Sequence, residues 1–255
     1  MMTKLQIYYG DNLKILKQFE DASFDLIYID PPFNTGKKQK RGEMYYEDKF
    51  DNFIEFIKPR LEAVYRLLKS NGSFFLHIDP HESHYCKVLL DQIFGRKSFI
   101  NEIIWAYDYG GRSKTKWSSK HDTIFWYAKD PNNYTFNFEE MDRIPYMAPG
   151  LVGKEKAARG KTPTDVFWHT IVPTNGKEKT GYPTQKPLGV LKRIVSVHSK
   201  PGDALLDFFS GSGSFGEAAA LLGCNAVMID NNIEAVKLSA KRLSQYNPEC
   251  IGFKQ

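Results

Sequence analysis

Residues 206–216 read Leu206-Asp207-Phe208-Phe209-Ser210-Gly211-Ser212-Gly213-Ser214-Phe215-Gly216. An apolar run over 204–209 bends through three glycines, spaced GxGxxG, into a helical pattern over 214–222 that stops at Gly223. Glycine supplies the backbone freedom such a bend needs and lets a ligand approach the main chain. Asp230 follows 19 residues after Gly211, at the end of the next apolar run, 226–230. An acid at that offset suits ribose hydroxyls, so the unit predicts an adenosine-bearing ligand on a strand–turn–helix. An NAD-dependent dehydrogenase usually opens its domain with this unit. Here it stands near the C-terminus, which argues against hydride transfer.

Working back along the chain, 24–29 (FDLIYI) is a short apolar run that ends at Asp30-Pro31-Pro32-Phe33-Asn34. It predicts a buried parallel strand with a site at its carboxyl end. The two prolines remove two backbone donors and stiffen the turn, which holds a carboxylate out beside an aromatic face. Such a turn can accept hydrogen bonds from an amino group whose ring stacks on Phe33. Segments 51–68, 82–94, 187–198 and 232–245 read as helices, with Pro59 marking a start or kink and Asn71-Gly72 a stop. Segments 73–79, 100–107 and 123–128 read as strands. Strand–helix alternation at both ends predicts one doubly wound, mostly parallel α/β sheet of about seven strands. Between the ends, 130–181 loses periodicity among five prolines and reads as an inserted irregular region.

The chain has 255 residues, 42% hydrophobic and 25% charged, which excludes wholesale disorder. Its three cysteines, Cys86, Cys224 and Cys250, show no CxxC spacing, so neither a disulfide framework nor a cysteine zinc site is expected. No apolar run of membrane-spanning length and no signal-peptide pattern occurs, and a cytoplasmic location is expected. His77, Asp79, His81, Glu82 and His84 crowd together, but His81-Glu82-Ser83-His84 is one residue short of HExxH, so no metal is expected. Net charge is +5, concentrated in the middle. Residues 110–200 hold 16 Lys and Arg against 8 Asp and Glu, while the rest holds 19 against 22. Such a patch attracts phosphate backbones. Lys37, Lys38 and Arg41 follow the proline turn, where a mobile basic loop is expected. Arg112, Lys114, Lys116 and Lys120 surround Trp117 in a Gly- and Ser-rich stretch expected as a mobile loop.

Together the DPPF unit and the later Phe209-Ser210-Gly211-Ser212-Gly213 unit resemble the amino-group DNA methyltransferases that use S-adenosylmethionine. The order, catalytic motif first and cofactor motif last, resembles the beta class. YIDPPFNTG (28–36), KHDTIFWYAKD (120–130) and GYPTQKP (181–187) strengthen the likeness to type II and type III modification enzymes. The resemblance implies a circularly permuted Rossmann-like fold. Its catalytic half would span 1–129, its target-recognition insert 130–181 and its cofactor half 182–255.

It also implies roles. Asp30 and the Pro31 carbonyl would hold the target amine, with Pro32 stiffening the turn and Phe33 stacked on a flipped base. Gly211 and Gly213 would admit the methionine part, Asp230 would bind ribose, and Asp11 would approach adenine. Lys186 would meet the methionine carboxylate, and Asp207, Phe209, Ser212 and Asn231 would complete the cofactor wall. Lys37, Lys38, Arg41, Arg112, Lys114, Lys116, Lys120, Lys177 and Lys179 would face double-stranded DNA. A cognate restriction endonuclease and a homodimer are the other partners implied, and no membrane. The DPPF form implies N6 of adenine, while N4 of cytosine or an RNA amine would call on the same chemistry. A DNA-binding protein without turnover is a further reading, disfavoured by the intact Asp30 and glycine units.

Overall fold

The computed structural model describes residues 3–41, 44–173 and 175–254. In chain order the elements are β1 (Leu5–Tyr9), α1 (Asn12–Leu16), β2 (Phe24–Ile29), β3 (Lys37–Arg41), β4 (Met44–Asp48), α2 (Phe53–Leu67), β5 (Leu68–Ile78) and α3 (Ser83–Phe94). There follow β6 (Phe99–Ala106), β7 (His121–Ala128), α4 (Lys154–Arg159), β8 (Val166–Trp168) and α5 (Leu188–His198). The chain closes with β9 (Ala204–Asp207), α6 (Ser214–Leu221), β10 (Asn225–Asp230), α7 (Ile233–Arg242) and β11 (Glu249–Ile251).

Nine strands form one sheet in the order β11-β1-β10-β9-β2-β5-β7-β6-β8. Seven strands were expected from the sequence. The surplus includes the three-residue edge strands β8 and β11, too short to leave a periodic signal. β7 runs antiparallel to β5 and β6, and the other pairings are parallel.

Both faces of the sheet are covered, which explains why β2 lacks alternation. Leu26 and Tyr28 pack with Val190 and Leu191 of α5 and Ala218 of α6, whereas Ile27 and Ile29 pack with Ile57 and Leu61 of α2. Each fully buried Leu or Ile contributes about 1.5–3 kcal/mol. Helix α2 runs through Pro59 instead of starting there. Asn71-Gly72 lies within β5, where the register against β2 shifts, and so marks a bulge and not a helix stop.

The two chain ends interleave. β1 lies against β10, and β2 lies against β9 with Leu26 beside Leu205 and Ile27 beside Leu206. From this central pair the chain runs outward in both directions, β9 to β10 and β2 to β5. A parallel sheet opens a crevice at such a reversal, beyond the carboxyl ends of its strands.

The region 130–181 is moored to this frame. β8 extends the sheet beside β6, and Phe136 stacks on Trp126 at 5.8 Å. Asp142 accepts two bonds from Arg193, and His198 Nδ1 lies 3.2 Å from the Thr135 carbonyl.

Candidate active site

The crevice between β2 and β9 holds a cavity of about 340 Å³. Asp11, Asp30, Pro31, Pro32, Phe33, Lys186, Asp207, Phe209, Gly211, Ser212, Asp230 and Asn231 all line it. Of the residues expected at the cofactor and the amine, Gly213 lies just behind the wall, as the N-cap of α6 with φ +73°.

The glycines answer to packing as well as to a ligand. A Cβ on Gly213 would lie 2.2 Å from Ser239 Oγ, and one on Gly216 would lie 2.0 Å from Met228 Sδ. One on Gly211 would lie 2.9 Å from the Tyr182 ring. The Gly211 N–H donates to Asp230 Oδ2 and the Asn232 N–H to Asp230 Oδ1, each at 2.8 Å. Asp230 thus braces the bend it faces. Asp11 caps α1 by accepting from the Lys14 N–H at 3.0 Å, so it combines a structural role with its place on the cavity wall.

The proline turn is bolted from outside. Asp48 accepts from the Asn34 N–H at 2.7 Å and the Thr35 N–H at 3.1 Å, and also pairs with the Thr35 hydroxyl. Asn34, at φ +56°, accepts from the Phe50 N–H and donates to Glu82, both at 2.8 Å. Asp48 and Asn34 escaped the sequence reading, because a charged strand end carries no local sign of its distant partner.

Within the turn, Asp30 Oδ2 accepts from Lys186 Nζ at 2.7 Å, while Asp30 Oδ1 is buried without a hydrogen-bond partner, as is Ser210 Oγ. A buried acceptor left open is costly unless a ligand supplies the donor. Lys186, expected at a carboxylate of the ligand, sits here on Asp30 and 4.6 Å above the Phe33 ring.

Asp207 is buried within reach of the charges of Asp30 and of half-buried Asp230. Burial, with the charges of Asp30 and Asp230, pushes Asp207 well above the usual carboxylate range, and burial raises Asp230 despite its backbone donors. A group of crowded acids gains from a cationic guest. The orphaned acceptors, glycine bend and acid wall therefore fit S-adenosylmethionine, whose sulfonium and ammonium are both cationic.

A second cavity, of about 380 Å³, adjoins the first and shares Phe33 and Lys186 with it. Its walls include Trp105, Tyr107, Tyr109, Asp122 and Lys179. Behind Phe33 runs a buried chain of polar groups. The Tyr28 hydroxyl meets His77 Nδ1 at 2.7 Å, His77 Nε2 meets Asp122 Oδ2 at 3.1 Å, and the Tyr107 hydroxyl donates to Asp122 Oδ1 at 3.3 Å. Burial, with nearby Asp30, Asp207 and Asp122, holds the Tyr28 hydroxyl far above the usual phenol range, so it stays protonated. Burial would raise Asp122, but the bond and charge of His77, with Lys186 and Tyr107, bring it below the usual range. In the crowded 77–84 segment, Asp79 holds His81 and Glu82 holds Asn34.

Of the cations expected at DNA, Lys179 lines the second cavity. Lys37, Lys38 and Arg41 form β3 of a hairpin with β4, where a loop was expected. Arg112, Lys114, Lys116 and Lys177 are exposed, Lys120 and Lys179 half-buried. Arg112 pairs with Asp108 at 2.8 Å, and Lys120 donates to the Tyr109 carbonyl at 2.6 Å.

A family profile described as DNA methylase matches residues 24–241. The chain belongs to the DNA methylase family. It is 32% identical over 236 residues to the type II methyltransferase M.HpaI of Haemophilus parainfluenzae, covering 92% of this chain and 73% of that one. It is 32% identical over 259 residues to the DNA adenine methyltransferase YhdJ of Escherichia coli (strain K12), covering 95% and 85%. Among solved structures, the M1.HpyAVI complex with SAM superposes with a TM-score of 0.66 at 23% identity, covering 93% of this chain and 98% of that one. The cytosine-N4-specific PvuII DNA methyltransferase superposes at 0.72 and 17% identity, covering 98% and 95%. As a family member the chain is an S-adenosylmethionine-dependent DNA methyltransferase with a permuted Rossmann-like sheet.

Proposed function

We propose that this methyltransferase modifies N6 of adenine in double-stranded DNA, with the base flipped out of the helix. The observation that carries this reading is the open buried oxygen of Asp30 in a cavity suited to the methyl donor, which shares Phe33 and Lys186 with an adjoining aromatic cavity suited to a base. The likeness to YhdJ, named as an adenine enzyme, supports adenine over cytosine.

An aryl amine is a poor nucleophile because its lone pair is delocalised into the ring. S-adenosylmethionine supplies an electrophilic methyl carbon on sulfur. Asp30 and the Pro31 carbonyl accept the two amine hydrogens, which favours a pyramidal nitrogen and returns the lone pair to it. Nitrogen then forms the new bond to carbon as the carbon–sulfur bond breaks, and the nitrogen sheds one proton toward Asp30 or water. Phe33 fixes the plane of the base. Positioning and charge carry the rate, so no covalent bond to the protein is needed.

The segment 130–181 and the cations Lys37, Lys38, Arg41, Arg112, Lys114, Lys116, Lys120, Lys177 and Lys179 form the DNA-facing surface in this reading. Trp117 stands 98% exposed among them. A role in cytoplasmic restriction–modification, beside a cognate endonuclease, is supported by relatives named type II methyltransferases. A homodimer belongs to the same reading, drawn from the resemblance alone. Methylating unmodified DNA in vitro and digesting it for nucleoside mass spectrometry tests the base. N6-methyladenine is expected, and N4-methylcytosine or modification of RNA alone would overturn it.

A further inference from the structure

A cation of the chain itself stands on Asp30, at the proposed reaction centre. Lys186 is 9% exposed, donates to Asp30 Oδ2 and lies over Phe33. The proposed reaction needs these same two partners for the target, the carboxylate for the amine and the ring for the base. An ammonium 4.6 Å above Phe33 fills space that a stacked base must occupy.

Lys186 also lines the donor cavity, whose wall is dominated by Asp11, Asp30, Asp207 and Asp230. That charge suits the sulfonium and ammonium of S-adenosylmethionine but opposes its carboxylate. Among the described residues, two cations line the cavity to meet that carboxylate, Arg60 and Lys186. Arg60 is engaged by Asn12 Oδ1 at 2.9 Å and by the Phe56 carbonyl and ring. Lys186 stands beside Asp30, where the methyl group must arrive, and the carboxylate is only a few bonds from the methyl-bearing sulfur. Two residues before Lys186, Thr184 is held at φ +59°, a strained value for a β-branched residue.

We propose that Lys186 is a positioning residue with two stations. On Asp30 it occupies the amine site and keeps a base out. Drawn to the carboxylate of the methyl donor, it releases Asp30 and Phe33, so base entry waits on the donor. The inference rests on the methyltransferase reading above. Because coupling between sites is reciprocal, DNA with an extruded base must raise donor affinity by the same factor.

The test uses the whole protein and duplex DNA carrying 2-aminopurine at the methylated position, located by sequencing modified DNA. Emission rises when 2-aminopurine leaves the stack. With wild type, DNA alone is expected to stay dim, and S-adenosylhomocysteine, which keeps the carboxylate, to raise emission about tenfold. 5′-Methylthioadenosine, which lacks the amino-acid tail, is expected to leave it dim at saturation. Lys186→Met is expected to light up with DNA alone. Equal emission with and without S-adenosylhomocysteine in wild type, or equal effects of the two ligands, overturns the proposal. These wild-type comparisons decide even where the variant fails to fold. A protein that methylates no DNA at all would instead sink the underlying reading.

Discussion

The bend after β9 and the loop at 108–120 are both rich in glycine and serine, yet their physical states are opposite. In the bend, Ser210, Ser212 and Ser214 are buried, and Arg242 Nη1 donates to the Ser212 carbonyl and the Ser214 hydroxyl. In the loop, Ser113 and Ser118 bond to their own neighbours, with Ser118 accepting from the Ser113 N–H at 2.7 Å and Ser113 from the Lys116 N–H at 3.2 Å. The bend takes its shape from what lies behind it, α7 and β10, while the loop makes its turn with hydrogen bonds among its own residues. A binding cradle for a fixed small molecule profits from the first arrangement. A surface that meets a long, charged duplex profits from the second.

The largest effect should fall where the bend faces the turn. Asp30→Ala is expected to slow methyl transfer about a thousandfold while leaving S-adenosylhomocysteine binding intact. Single-turnover kinetics beside calorimetry read both, and near-normal turnover would remove Asp30 from the reaction. Next comes a paired substitution. Gly213→Ala meets both φ +73° and Ser239, so a loss of about 2–4 kcal/mol is expected. Gly111→Ala in the loop meets nothing within 4 Å, and its effect should stay within about 0.5 kcal/mol. Equal chemical denaturation midpoints for the two variants would erase the contrast.

A third test lies where the region 130–181 is moored, at His198, which burial among Phe75, Trp126 and Phe136 lowers to about 4. The unfolded chain binds a proton near pH 6.5 that the folded chain refuses, so this site lowers stability as pH falls from 6.5 to 4. The full loss is about 3 kcal/mol. His198→Gln should flatten the stability curve in that window relative to wild type. Asp207 and Asp230, both raised, act in the opposite direction but equally in both proteins. The smallest effect concerns the loop. Lys114→Ala and Lys116→Ala should each reduce the salt dependence of DNA binding by about one unit of log–log slope, with unchanged melting. An unchanged slope would detach the loop from DNA.

Much of this was legible because the two decisive units are local. A strand, a bend and a helix lie within 204–221, and DPPF follows its strand directly. β1 went unread, since LQIYY is short and flanked by polar residues. β3 read as loop because KKQKR lacks apolar positions, and its pairing with β4 comes from backbone bonds that any sequence can make. The Lys186–Asp30 pair and the Asp48 brace join distant segments, and neither segment carries a mark of the other.

The interleaved threading of the sheet has a consequence for synthesis on the ribosome. Lys4 bonds to Asn225 across 221 positions of chain, and β2 waits for β9 to fill one flank. Such long closures are slow to form and leave strand edges bare meanwhile. A nascent polypeptide halted after β7 therefore has the proline turn but an open gap where β9 and the glycine bend belong, so premature termination yields no partial enzyme, only a candidate for aggregation or proteolysis.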